Sequence, residues 1–189
     1  MWAFTLAQSK THWRMDIDMK NKLIGLCGYK GSGKSLIASL LADYEGIISF
    51  ATQMREMLEP LLDRGELFEK GKEAPLGCLG GKSYRYALQT LGTQWGRECM
   101  GEDFWVISSM LEAEIELRMG DVVFDDVRFD NEAIAIRKAG GIVVRLERDS
   151  IFAEGDKHAS ERGISEEYID AVVDNTGKIE DTVKTILSL

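Results

Sequence analysis

Gly28-Tyr29-Lys30-Gly31-Ser32-Gly33-Lys34-Ser35 has the spacing G-x-x-x-x-G-K-[ST] in full, and that spacing makes a phosphate cradle. Residues without a Cβ let the backbone close around phosphate oxygens. A helix that begins at the end of such a loop aims its free N–H groups and the positive end of its dipole at an anion. Lys34 is placed to reach the β- and γ-phosphates of a nucleoside triphosphate, and Ser35 to ligate Mg²⁺. The motif establishes triphosphate binding. It does not choose among kinase, ATPase and GTPase.

Two further clusters have residue types suited to the same chemistry. In Tyr84–Trp95, Arg85, Gln89 and Gly92 fall at i, i+4 and i+7, so a helix puts them on one face and Leu88, Leu91 and Trp95 on another. From the pattern alone a solvated polar face is the simpler reading of the first set, with Gly92 as a point where a ligand could approach closely. The third cluster, DVVFDDVR over 121–128, is an apolar run that ends in two acids and an arginine. In parallel α/β sheets ligands bind beyond the carboxyl ends of the strands. Asp125 and Asp126 stand there as Walker-B-like acids that would hold Mg²⁺. Arg128 and Glu132 are i and i+4, so they could equally well pair with each other.

The elements that must position these groups alternate. Strands are expected at Leu23–Cys27, Ile47–Phe50, Asp121–Phe124, Ile142–Leu146 and Ala171–Val173. Helices are expected at Gly33–Tyr44 (apolar at Leu36, Ile37, Leu40 and Leu41), Met54–Leu62 (Met54, Met57, Leu58 and Leu61), Tyr84–Arg97, Asp103–Met119 (Val106, Ile107, Met110, Leu111 and Ile115 at core spacing), Asn131–Ala139 and Ile179–Leu187. Residues 63–82 mix charges, Gly and Pro75 and read as a mobile loop region, and 149–163 as a polar loop. Alternating strands and helices predict an α/β fold with a parallel sheet covered on both faces.

The length of 189 residues fits one domain. We divide the chain into an N-terminal extension, 1–18, and a single domain, 19–189. No apolar run approaches the roughly 20 residues that span a bilayer, and 1–18 lacks the continuous apolar core of a signal peptide. The net charge of −9, from 32 acidic and 23 basic residues, argues against a nucleic-acid polymer as partner. It leaves room for a small phosphate ligand. Cys27, Cys78 and Cys99 form no C-x-x-C pair and there are only two histidines, which disfavours zinc. An odd number of free thiols suits a reducing cytoplasm.

Together these residues resemble the bacteriophage deoxynucleoside monophosphate kinase family, from Leu23 to the C-terminus. The resemblance rests on RYALQTLGTQW (85–95), Phe104-Trp105, FDDVRFDNE (124–132), GGIVVRLERD (140–149), HASE (158–161) and VVDNTGKIED (172–181), in order behind the phosphate loop. It implies a three-layer P-loop NTPase fold with an adenylate-kinase-like core, a monophosphate-binding region over about 52–105 and a lid over about 149–163. It implies transfer of the γ-phosphoryl group of ATP, with Mg²⁺, to a deoxynucleoside monophosphate. The acceptor phosphate is already a nucleophile, so no general base is required. Lys34, Arg85, Asp126 and Arg128 would carry the transfer. Gly28, Lys30, Gly31, Ser32, Gly33, Lys34, Ser35, Leu36 and Arg148 would bind ATP, and Ser35 and Asp126 the metal. Arg85, Gln89, Gly92, Thr93, Trp105, Asp126, Arg128 and Glu132 would bind the acceptor. His158 would lie in the lid, and Asn175 and Thr176 near the donor adenine. Apolar positions on the 103–119 helix suit a homodimer and a core equally. A dephospho-coenzyme A kinase would also fit the DNTG block, and an ATP-driven switch subunit is the non-enzymatic alternative.

Overall fold

The computed structural model describes residues 21–148 and 163–189. The expected extension over 1–18, His158 and all of the expected lid except Gly163 lie outside these residues. Five strands, β1 (Leu23–Cys27), β2 (Ile47–Ile48), β5 (Val122–Phe124), β6 (Ile142–Glu147) and β7 (Ala171–Asp174), form one parallel sheet in the order β2-β5-β1-β6-β7. Side chains of β1 alternate between two faces. Leu23 and Cys27 join the core under α5 (Phe104–Glu116) and α6 (Asp130–Lys138), while Ile24 and Leu26 join the core under α1 (Lys34–Leu41) and α7 (Ile179–Leu187). The expected covered parallel sheet is therefore present, with helices in two outer layers.

Several expectations change. On α1 the buried stripe is Ile37, Ala38 and Leu41, whereas Leu36 and Leu40 are exposed. The helix expected at 54–62 is α2 (Thr52–Leu58), closed by a 3₁₀ turn at Glu59–Leu61 that carries Pro60. Proline cannot donate to the preceding turn, which ends the α-helix there; Leu58 is buried and Met57 and Leu61 are exposed.

Residues 63–82, expected as loop, are ordered into α3 (Arg64–Lys70) and a hairpin of β3 (Pro75–Leu76) with β4 (Lys82–Ser83). Asp63 caps α3 by accepting the Glu66 N–H. The Glu66 carboxylate in turn receives the Gly77 N–H at 2.9 Å and the Lys70 ammonium at 2.8 Å, and these bonds hold its pKa down at about 2. Leu58, Leu76 and Tyr84 form a small core of their own there, joined by Leu67, Leu88 and Leu91.

The helix expected at 84–97 is two elements, α4 (Tyr84–Thr90) and a π-helical stretch, Leu91–Met100. On α5, Val106 and Met110 are buried as expected. Ile107, Leu111 and Ile115 face outward, at 38%, 50% and 61% exposure.

Candidate active site

The phosphate loop leaves β1 and enters α1. Gly33, with φ of 92°, takes the left-handed conformation that caps α1. A Cβ there would also lie 2.5 Å from Nδ2 of Asn175. Lys34 crosses the loop, and its ammonium donates to the carbonyls of Gly28 at 2.8 Å and Tyr29 at 2.9 Å. Burial and then the neighbouring Arg128 guanidinium lower its pKa. The positive charge of Arg128, exposed beyond β5, is thus felt at Lys34.

Beyond β5, Asp125 and Asp126 point to different surroundings. The Asp125 carboxylate receives the Ser35 hydroxyl at 3.3 Å. Burial and the charge of Asp126 raise its pKa, so its negative charge is under-compensated where it stands. Asp126 is buried, and both its oxygens are engaged, by the Ser49 hydroxyl at 2.6 Å and the Phe50 N–H at 2.9 Å. The acid that faces Ser35 is therefore Asp125, and Asp126 ties the end of β5 to the segment after β2.

Glu132 occupies the third position of α6 and reaches back. Its Oε2 accepts the N–H groups of Arg128 at 2.7 Å and Phe129 at 3.1 Å, as the acidic half of a capping box does. Its Oε1 meets Arg97 at 3.2 Å. Glu132 is 3% exposed, and burial raises its pKa to about 7. Of the two readings left open for Arg128 and Glu132, the side-chain pair is not made: the contact comes from the Arg128 backbone N–H.

Arg85, at the start of α4, pairs with Glu73, and its N–H donates to the Lys72 carbonyl at 3.0 Å. These contacts are with the segment before the hairpin, not with the cluster at the sheet's end. Gln89 and Thr93 are exposed. Gly92 faces protein: a Cβ would lie 2.8 Å from the sulfur of Met54. Trp105 is 2% exposed, lies against Gly96 and spends its Nε1–H on the Gly92 carbonyl at 2.9 Å. Trp105 forms a wall behind the site and offers no open ring face. Trp95, placed by periodicity on the face with Leu88 and Leu91, is partly exposed and packs edge-on against Phe104. Arg148 and Lys30 are exposed, Arg148 just past the end of β6.

Two residues carry more of the site than sequence reasoning assigned to them. Asn175, expected near the adenine, is buried and donates to the Ser32 carbonyl at 2.8 Å while accepting the Thr182 hydroxyl at 3.1 Å. Arg97 was visible only as one more basic residue at a helix end.

A parallel sheet in this order, with a glycine-rich loop leading into α1 and paired acids at the neighbouring strand end, defines a P-loop phosphotransferase fold. Residues 79–186 match the family model of deoxynucleotide monophosphate kinase. The chain is 34% identical over 187 residues to a putative deoxynucleotide monophosphate kinase of Acanthamoeba polyphaga mimivirus, covering 88% of this chain and 94% of that protein. It is 34% identical over 122 residues to the deoxynucleoside-5'-monophosphate kinase of Escherichia phage T5, covering 59% of this chain and 46% of that protein. Among solved structures it is similar to a mutant APS kinase of Mycobacterium tuberculosis, with 14% identity and a TM-score of 0.38 over 89% of this chain and 95% of that chain. The chain belongs to the deoxynucleotide monophosphate kinase family, and it is a kinase with a small-molecule nucleotide substrate and ATP as the implied donor. No helix among the described residues is long and apolar enough to cross a membrane.

Proposed function

We propose that the chain transfers the γ-phosphoryl group of ATP to a deoxynucleoside monophosphate, with the phosphate loop as the donor site and the 52–105 region as the acceptor site. The observation that carries this reading is the phosphate loop closed on Lys34 beside the Ser35–Asp125 contact at the sheet's carboxyl edge. The reaction brings two anions together in line and spreads charge over the transferred group, so positioning and cationic stabilisation are what the protein must supply. Lys34 gives up the loop carbonyls for β- and γ-phosphate oxygens. Arg128, held by its backbone and free to extend its guanidinium, grips two phosphate oxygens at once. Arg85, Gln89 and Thr93 face the acceptor from α4 and the helix after it. Arg148, exposed just past the end of β6, is assigned to the ATP phosphates.

Ser35 and Asp125 are the pair we assign to Mg²⁺, in place of Ser35 and Asp126. A hydroxyl beside an under-compensated carboxylate suits a cation that keeps most of its water and phosphate ligands. The bound ion would screen phosphate charge. Location in a host cytoplasm, without nucleic-acid polymer or membrane partners, fits the acidic composition and free thiols. The dephospho-coenzyme A kinase and switch readings draw no support from the relatives.

The test is a coupled assay of ADP release with ATP–Mg²⁺ and each dNMP and NMP in turn. ADP formed only with a deoxynucleotide acceptor is the expected result. ADP formed equally without acceptor would sink the proposal.

A further inference from the structure

We infer that Arg97 is a positioning residue for phosphoryl transfer, acting through Glu132 to fix the backbone from which Arg128 reaches the phosphates. The inference rests on the reading of Arg128 as a phosphate-binding group given above. The Glu132 carboxylate divides its two oxygens: one takes the N–H groups of Arg128 and Phe129, the other takes Arg97. Arg97 lies over the Phe129 ring, with Cζ 4.1 Å from the centroid, and its other terminal nitrogen donates to the Glu102 carbonyl at 3.4 Å. One guanidinium thus clamps both the carboxylate that holds the Arg128 backbone and the aromatic ring next to it. Its own side chain is mostly shielded from water, so the ion pair is weakly screened.

The burial of Glu132 raises the value of the clamp. At 3% exposure the carboxyl has little water to turn to, so its orientation is set by the two N–H groups on Oε2 and by Arg97 on Oε1. Without Arg97, Oε1 loses its partner and Glu132 loses the contact that fixes how Oε2 faces the Arg128 and Phe129 N–H groups. The clamp comes from the π-helical stretch, whose wider winding turns Arg97 to a bearing that a continuous α-helix from Tyr84 would not give. The π-helical stretch after α4 and the backbone of Arg128 are therefore joined through one carboxylate.

The test compares Arg97→Ala, Arg97→Lys, Glu132→Gln, the double variant Arg97→Ala/Glu132→Gln and Arg128→Ala, assayed at temperatures where thermal melts show each to be folded. We expect Arg97→Ala to lower kcat about tenfold or more, since small misplacements of a phosphate ligand are costly, while KM for ATP stays within about twofold. Arg97→Lys should restore kcat only in part, because a compact ammonium cannot cover the Phe129 ring while reaching both acceptors. The double variant should be no slower than the slower single, as residues acting through one another are not additive. Wild-type kcat in folded Arg97→Ala, alongside a strong loss in Arg128→Ala, would overturn the inference and leave the reading of Arg128 intact. If Arg97→Ala does not fold, wild-type kcat in folded Arg97→Met, which keeps the bulk without the charge, overturns it in the same way. Full activity in Arg128→Ala would overturn the Arg128 reading, and this inference with it.

Discussion

The side-chain amide of Asn175 donates to the carbonyl of Ser32 at 2.8 Å, joining the turn after β7 to the middle of the phosphate loop across 143 residues of sequence. The same side chain stands 2.5 Å from where a Cβ on Gly33 would lie, and its carbonyl accepts from Thr182 on α7. The loop's shape is therefore set from below by the last strand and helix.

Replacing Asn175 by Ala should raise KM for ATP severalfold, with a smaller change in kcat. It should also lower stability by about 1–3 kcal/mol, the usual cost of leaving buried partners unsatisfied. Steady-state kinetics at saturating acceptor and a urea titration check both. An unchanged KM for ATP would remove Asn175 from the donor site.

Glu132 should make stability fall as pH rises. Its folded pKa of about 7 lies above the ordinary carboxylate value of 4.5, so between these values the folded state binds more protons than the unfolded state. Its contribution is full below about pH 4.5 and is lost as pH passes through 7. Urea midpoints measured from pH 5 to 8 should slope downward in the wild type and flatten in Glu132→Gln. Asp125, whose pKa is also raised by burial and by Asp126, contributes a slope of the same sign.

The two neighbouring acids should fail in different ways. Asp125→Asn should raise the Mg²⁺ concentration for half-maximal activity about tenfold or more with little loss of stability, in line with loss of a metal-facing carboxylate. Asp126→Asn should lower the melting temperature, because the amide cannot accept from both Ser49 and the Phe50 N–H without turning a donor toward one of them. A shift in Mg²⁺ dependence for Asp126→Asn alone would reverse the assignment.

Gly96→Ala should destabilise by about 1–3 kcal/mol or more, as overpacked sites do, because its new methyl would overlap the buried indole of Trp105. Gly120→Ala is the control, since nothing lies within 4 Å of its Cβ position. Thermal melts of the two variants should separate clearly.

The phosphate loop and the strand-helix alternation were legible because each is written within one continuous stretch. The strand boundaries agree closely, and α7 agrees to the residue. The 63–82 region was not read correctly: its Gly and Pro residues punctuate two short elements, and α3 is held by the Asp63 cap and by Glu66 bonds to the next hairpin. On α5, apolar residues occupy two adjacent faces. Periodicity alone could not tell that Val106 and Met110 enter the core while Ile107 and Leu111 do not.

The sequence by itself determined that a nucleoside triphosphate binds here, since eight consecutive residues carry that chemistry, and the order of the remaining blocks pointed to the family. Only the tertiary structure decided which of two adjacent acids meets Ser35, because successive residues leaving a strand point to opposite sides. It alone decided that Asn175 braces the phosphate loop and that Arg97 meets Glu132. Those contacts join segments far apart in the chain, and their partners are fixed by sheet order and helix winding, which no local pattern of residues records.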